Sequence, residues 1–290
     1  MTRIIVGTDG TEASHVAVRW ALERADATGG HVKLVHVVDD DWETVGPRII
    51  DDLRRDAVKL IERDTNYVHS IAECVAVESE LMHGDPMHQL AEISNNAGLV
   101  VVGTHKTGYI HGKVIGSRTL RLVAAAHCPV AVIPESVRHD ARGIVVGVDG
   151  SAGGRAAIEY AADEASRLSQ PMTLLRGWVS PKMMTESEEA RIERDRLIAR
   201  AADRMLDDAA ATVRRTHPEV EFRRRAVQRS APEALLEAAV AARMLVVGST
   251  RRTSRERMGL GPVTHDVVLN LVCPTVVVHG TDRHAGGVGH

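Results

Sequence analysis

The stretch RIIVGTDGTEASHVAVRWALERA, Arg3 to Ala25, decides the fold. Ile4, Ile5 and Val6 form an unbroken apolar run, as suits a central parallel strand buried on both faces. A Gly-x-Asp-Gly-Thr turn follows, and then a helical pattern over Ser14–Ala27. The same order of features returns at Gly143 as GIVVGVDGSAGGRAAIEYAADEA, so that Asp9 and Asp149 correspond, 140 residues apart. The closing segments repeat as well. LVVVGTHK pairs with MLVVGSTR, and AAHCPVAVIPE pairs with LNLVCPTVVVH. Gly103 and Gly248 are 145 residues apart, as are Cys128 and Cys273. Two domains of nearly equal length are expected, 1–136 and 143–280, with a small insertion in the second. The polar segment ESVRHDAR, Glu135 to Arg142, joins them, and the Gly-rich tail from Gly280 is expected to be loose.

The 290 residues suit two ordinary domains, and the 44% apolar fraction suffices for two cores. A formal net charge of -3 argues against a nucleic-acid-binding surface. The basic cluster Arg251–Arg257 reads first as solvated surface and second as an anion site. Three cysteines without a CxxC spacing argue against a disulfide framework or a zinc site, and Cys128 and Cys273 read as small buried hydrophobes. The chain enters a strand at once and has no apolar run of about twenty residues. The expectation is a soluble cytoplasmic protein without membrane or nucleic-acid partners.

In the first repeat, strands are expected at Arg3–Thr8, Val32–Val38, Ala72–Glu78, Leu99–Val102 and Val130–Ile133. Helices are expected at Ser14–Ala27, Pro47–Tyr67, Pro86–Asn96 and Val114–Ala126. The second repeat offers strands at Ile144–Val148, Met172–Trp178, Glu221–Val227, Met244–Val247 and Thr275–Val278. A long charged helix from Ser187 carries Leu197, Ala201, Met205 and Ala209 at i,i+4 spacing, a candidate packing stripe. Strand and helix alternate, so the fold class is α/β, in two tandem doubly wound domains.

Open α/β sheets bind ligands at the carboxyl ends of their strands. Two segments should meet there: GTDGT after the first strand, with Thr8, Asp9 and Gly10, and GTHKTGYIHGKVIGS after the fourth. Gly103 allows close backbone approach, and Gly116-Ser117 opens a helix whose free N–H groups favour an anion. Ser117 can add a hydroxyl bond; Lys106 and Lys113 can neutralise phosphate, and Arg118 adds a cation. The segment reads equally as a Ser-capped helix after a polar loop. Asp9 can accept hydrogen bonds from ribose hydroxyls, or can serve as an Asx turn or N-cap. Walker A fails because Val114 follows Gly112-Lys113, and GTDGTEAS is no dinucleotide fingerprint. His36 reads as a satisfied strand imidazole, and His83 with Asp85 as a turn or a site-edge pair. His105 and His111 lie in the loop, within reach of phosphate. No evident general base for water and no metal-ligating set appear, which ranks an ATP hydrolase or phosphotransferase last and makes the expectation a non-enzyme.

The repeated pattern resembles the universal stress protein family in its tandem two-domain form, as found in actinobacteria. The resemblance covers Arg3–Pro134 and Gly143–His279 and rests on Asp9-Gly10, the HGDP turn at His83–Pro86, the terminal loop and HCPVAVIPE. It implies a five-stranded parallel sheet of order 3-2-1-4-5 in each domain. ATP-binding members carry Gly-x2-Gly-x9-Gly-Ser/Thr, which falls here on Gly103, Lys106 and Gly116-Ser117. Lys106 thus replaces a glycine, at a cost of about 1 kcal/mol or more if the backbone must turn left-handed there. By the resemblance, Asp9 meets ribose and Val37 lines the adenine pocket. The second copy departs further: Arg251 replaces the second glycine, Pro262 follows Gly261, and the GDP turn becomes Ser230–Pro232. Weaker nucleotide binding, or none, is expected there. The implied function is an ATP-binding stress-response regulator, with magnesium held through the triphosphate's own oxygens. The alternative is a nucleotide-independent scaffold for a regulatory protein partner. The cofactor-binding set is Thr8, Asp9, Gly10, Val37, Gly103, Lys106, Gly116, Ser117 and Arg118. Self-association is expected through the apolar strands Val130–Ile133 and Thr275–Val278, within one chain as a pseudodimer or between chains.

Overall fold

The computed structural model describes residues 3–39, 47–72, 74–104, 117–138, 140–181, 183, 187–250 and 259–280. The chain divides into two compact units, Met1–His139 with Val268–Val276 and Asp140–Val267 with Val277–His290. The first half runs β1 (Arg3–Gly7), α1 (Glu12–Thr28), β2 (His31–Val38), α2 (Pro47–Ile71), β3 (Ala76–His83), α3 (Pro86–Ile93), β4 (Leu99–Thr104), α4 (Ser117–Ala125) and β5 (Val130–Pro134). Its strands lie in the order β3-β2-β1-β4-β5, every neighbouring pair parallel. This is an α/β fold, and its N-terminal half has the expected 3-2-1-4-5 arrangement.

The second half runs β6 (Ile144–Gly147), α5 (Ala152–Arg167), β7 (Met172–Gly177), α6 (Glu188–Thr216), β8 (Phe222–Val227), α7 (Ala231–Ala239), β9 (Met244–Thr250), α8 (Pro262–Leu269) and β10 (Thr275–Gly280). Its strands follow the order β8-β7-β6-β9-β10, with β6 parallel to β7 and β9, and β7 parallel to β8.

Burial follows the apolar runs. Ile4, Ile5, Val6, Leu99, Val100 and Val101 are at most 2% exposed, which places β1 and β4 at the centre of their half. Each such side chain stabilises by about 1.5–3 kcal/mol relative to exposure. The outer strand β3 differs: every residue in it is exposed or half-buried, and Glu78 and Ser79 both face water. It begins at Ala76, not at the expected Ala72, because α2 continues to Ile71 and the polar alternation of VESELMH is an edge-strand pattern rather than a loop. The expected stripe on α6 is also corrected. Leu197 is 56% and Met205 37% exposed, while Ala202, Leu206, Ala209, Ala210 and Val213 are buried. A strict i,i+4 row turns about 40° per step off a 3.6-residue helix, so a lasting contact alternates steps of three and four.

The first helix of each half crosses the fourth strand at unusually short range. A Cβ on Gly103 would stand 2.1 Å from the Ala13 carbonyl oxygen, and one on Gly248 would stand 2.3 Å from that of Gly153. The space that glycine frees at the end of β4 is therefore taken by α1.

A buried polar cluster ties α2 to β1 in the first half. Asp64, 1% exposed, accepts a 2.5 Å bond from the Thr8 hydroxyl, and its other oxygen lies 3.1 Å from His15 Nε2 and 3.3 Å from Arg63 Nη2. Thr8 Oγ1 is 3.3 Å from the buried Ser14 hydroxyl, and the His15 ring stacks on Tyr67. In the second half Val148 and Gly154 stand where Thr8 and Ser14 do. Counted back from the helix ends, Ala209 stands where Asp64 does. One half fills this position with a hydrogen-bonded carboxylate and the other with methyl groups.

Two predictions arise here. Asp64→Ala should lower stability by about 2 kcal/mol in denaturant unfolding, since it removes the acceptor of the buried Thr8 hydroxyl and the partner of the half-buried His15 ring. The second concerns Asp85, which caps α3 by accepting the His88 N–H at 2.9 Å. That bond, assisted by Arg121 at 2.9 Å, holds the Asp85 carboxyl below its ordinary value. Its stabilisation is complete above the unfolded value of about 3.9 and fades as pH falls through the lowered folded value. Asp85→Ala should cost about 1 kcal/mol at neutral pH, with the gap to wild type closing in acid. The corresponding Ser230 makes no side-chain cap bond, so Ser230→Ala should be close to neutral.

Candidate functional site

The carboxyl ends of β2, β1 and β4, three adjacent strands, form the rim on which most of the expected residues fall. Thr8 and Asp9 follow β1, Val37 lies near the end of β2 and Gly103 near the end of β4. Gly10 has φ +75°, and its open side is crowded by Arg63 and Leu60, so only glycine is comfortable there. Asp9 is exposed, and its Oδ1 accepts from the Thr11 N–H at 3.1 Å and the Thr11 hydroxyl at 2.6 Å. This is the Asx turn that leads into the Thr11 N-cap of α1. His36 Nδ1 meets the Thr8 carbonyl oxygen at 2.8 Å, which satisfies the strand imidazole.

Lys106 and Gly116 lie outside the described residues, as do His105 and His111 and the rest of the loop 105–116. Ser117 is the first residue of α4. Arg118, one residue on, reaches Asp39 just beyond β2 at 3.7 Å. That ion pair places the start of α4 on the rim that carries Val37. Asp39, Arg63 and Asp64 were missed by sequence reasoning. All are charged residues in charged contexts, and only the chain's path brings them beside Thr8 and Arg118.

The second half repeats the turn. Asp149 Oδ1 accepts from the Ser151 N–H at 2.9 Å and the Ser151 hydroxyl at 2.7 Å, and Ser151 caps α5. Gly150 has φ +77°, matching Gly10. Arg176 stands in the place of His36 and does the same work, donating from Nη1 to the Val148 carbonyl at 3.0 Å. Its Nε–H is buried and has no acceptor among the described residues. Thr264, in the first turn of α8, donates to the Gly248 carbonyl at 3.0 Å. A concave cavity of about 250 Å³ opens at this end, lined by Asp149, Arg176, Gly177, Gly248, Gly261 and Thr264 among others. Pro262 stands at the start of α8, where proline is sterically welcome but removes one N–H donor. The half with fewer motif residues thus keeps a walled cavity. Among the described residues that line the cavity, Arg176 carries a buried Nε without a hydrogen-bond partner; it came from no motif, and its alignment with His36 was the available signal.

Among the described residues, no group of three or more His, Cys, Asp or Glu is placed to hold a metal ion, and no helix is long and apolar enough to cross a membrane. Cys128 and Cys273 are buried as small apolar residues, and Cys74 is exposed. The cluster Arg251–Arg257 lies outside the described residues.

Comparisons with known proteins agree with this architecture. Residues 1–134 and 141–279 each match the universal stress protein family. The chain is 32% identical over 299 aligned positions to a universal stress protein of Mycobacterium tuberculosis, covering 94% of both chains. It is 30% identical over 296 positions to one of Mycolicibacterium smegmatis, covering 95% of this chain and 96% of the other. Among solved structures, a universal stress protein from Archaeoglobus fulgidus superposes with a TM-score of 0.72 at 15% identity, over 96% of this chain and 98% of that one, a likeness of fold. The chain belongs to the universal stress protein family and carries two of its domains in tandem.

Proposed function

We propose that this chain is a nucleotide-binding regulatory protein of the stress response, built from two copies of one five-stranded doubly wound domain, 1–136 and 143–280. ATP is the nucleotide, held mainly by the first copy. Asp9 contacts ribose, with Thr8 and Gly10 shaping its turn, and Val37 lines the adenine. Gly103, Lys106, Gly116, Ser117 and Arg118 surround the phosphates. The observation that carries this reading is the Arg118–Asp39 pair, which brings the start of α4 to the strand ends where Asp9 is exposed. A helix start aimed at such a rim offers N–H groups and a positive dipole end to an anion. Magnesium enters with the triphosphate through its oxygens. The role is non-catalytic and cytoplasmic: the nucleotide sets the state of the protein, and a protein partner reads it.

The second copy is the weaker nucleotide site, because Pro262 takes an N–H donor from α8 and Arg251 stands where a motif glycine is expected. Together with Lys106 in the first copy, these substitutions favour the second reading, a scaffold that works without nucleotide. Calorimetric titration of the full chain with Mg-ATP separates the two. Binding should be measurable at submillimolar nucleotide and weaken about tenfold, or about 1.4 kcal/mol, in Asp9→Ala. No detectable heat at millimolar nucleotide, with none recovered from freshly purified protein, gives the scaffold reading.

A further inference from the structure

The two outer strands, β3 and β8, carry opposite charge at corresponding positions. Glu78-Ser79-Glu80 of β3 matches Arg223-Arg224-Arg225 of β8, at the same 145-residue offset that relates Gly103 to Gly248. The registers agree: Glu78 pairs with Lys33 of β2, and Arg223 with Thr173 of β7, again corresponding residues. Each strand stands last in its half, beside one neighbour only, β2 or β7. Both are open to water, and the three arginines are all exposed.

An exposed edge presents unpaired backbone N–H and C=O groups, a template for another strand, and charge on the edge is the common guard against that. Here the guard differs in sign between the two edges. Like charges oppose a second β3 against β3, and a second β8 against β8. They do not oppose β3 against β8. Some of the charge is engaged within its own sheet: Glu78 with Arg3 at 3.4 Å, Glu80 with Lys33, and Arg224 with Asp207. Arg223 spends its Nε on the Thr173 hydroxyl at 3.0 Å. The Glu78 side chain nevertheless keeps 63% of its surface exposed. Arg225 has no ion pair among the described residues.

We propose that β3 of one molecule docks against β8 of a second copy of this chain, a heterologous contact driven by opposite edge charge. Side chains two apart share a face, so Glu78 and Glu80 form one pair and Arg223 and Arg225 the other. Antiparallel addition keeps corresponding faces together and sets Glu78 against Arg225 and Glu80 against Arg223. Parallel addition puts the two pairs on opposite faces. Because the donor and acceptor edges differ, each molecule keeps one of each, and the contact is head-to-tail rather than self-complementary. The contact is electrostatic and outside the nucleotide rim, so it does not depend on ligand binding.

Sedimentation velocity of the full chain tests this. Weight-average mass should rise with concentration in about 20 mM salt. The association constant should drop at least about tenfold in about 300 mM salt, where the screening length shortens to a few ångströms. Arg223→Glu with Arg225→Glu, and separately Glu78→Lys with Glu80→Lys, should each weaken association at low salt by about tenfold or more. An equimolar mixture of the two variants should recover it, because each then meets an edge of opposite sign, and two misfolded variants could not rescue one another. Mass independent of concentration in low salt, wild-type association in either variant, or a mixture no better than its components overturns the proposal.

Discussion

The closeness of the first helix to the fourth strand is the constraint from which the rest of each half is arranged. At Gly103 and at Gly248 the helix backbone occupies the volume a side chain would need. A methyl group there would push the helix outward and carry the Asp9 or Asp149 turn with it, since each turn leads directly into that helix. The strand ends, the Asx turn and the helix start are therefore positioned together. A rim built this way is set by packing of rigid elements, and its polar groups inherit the precision of the packing beneath them.

Much of this was readable from residues alone. The unbroken apolar runs at Ile4–Val6 and Leu99–Val102 marked the central strands, because a strand covered on both faces has no polar side to show. The repeated Gly-x-Asp-Gly turn marked both strand ends, since few sequences permit a left-handed glycine directly before a capped helix. The edge strand was read too early, at Ala72, because the glutamates of β3 alternate as water-facing residues do and hide a strand among helix-like charge. Asp64 was invisible for a related reason. Within ERDTNY it looks like one more surface charge on an amphipathic helix, and only the register of α2 over β1 buries it.

The glycine at the end of β4 carries a lesson about motif reading. The sequence motif assigns Gly103 to a ligand, and the structure assigns its bare side to Ala13. Both demands can select the same residue, so the presence of that glycine says little about occupancy. What bears on binding is instead a group that packing does not consume, such as the buried Nε–H of Arg176 in the second half.

The cluster around Asp64 bears on how the two repeats can drift apart. Thr8, Ser14, His15 and Asp64 form linked contacts. A change at one alters what is tolerable at the others, so substitutions there are coupled rather than additive. Val148 and Ala209 meet no such demand and can vary one at a time. After a duplication, the first copy would cross this region only by concerted replacement, while the second could wander in single steps. The same segment is thus constrained in sets in one copy and position by position in the other, within one polypeptide.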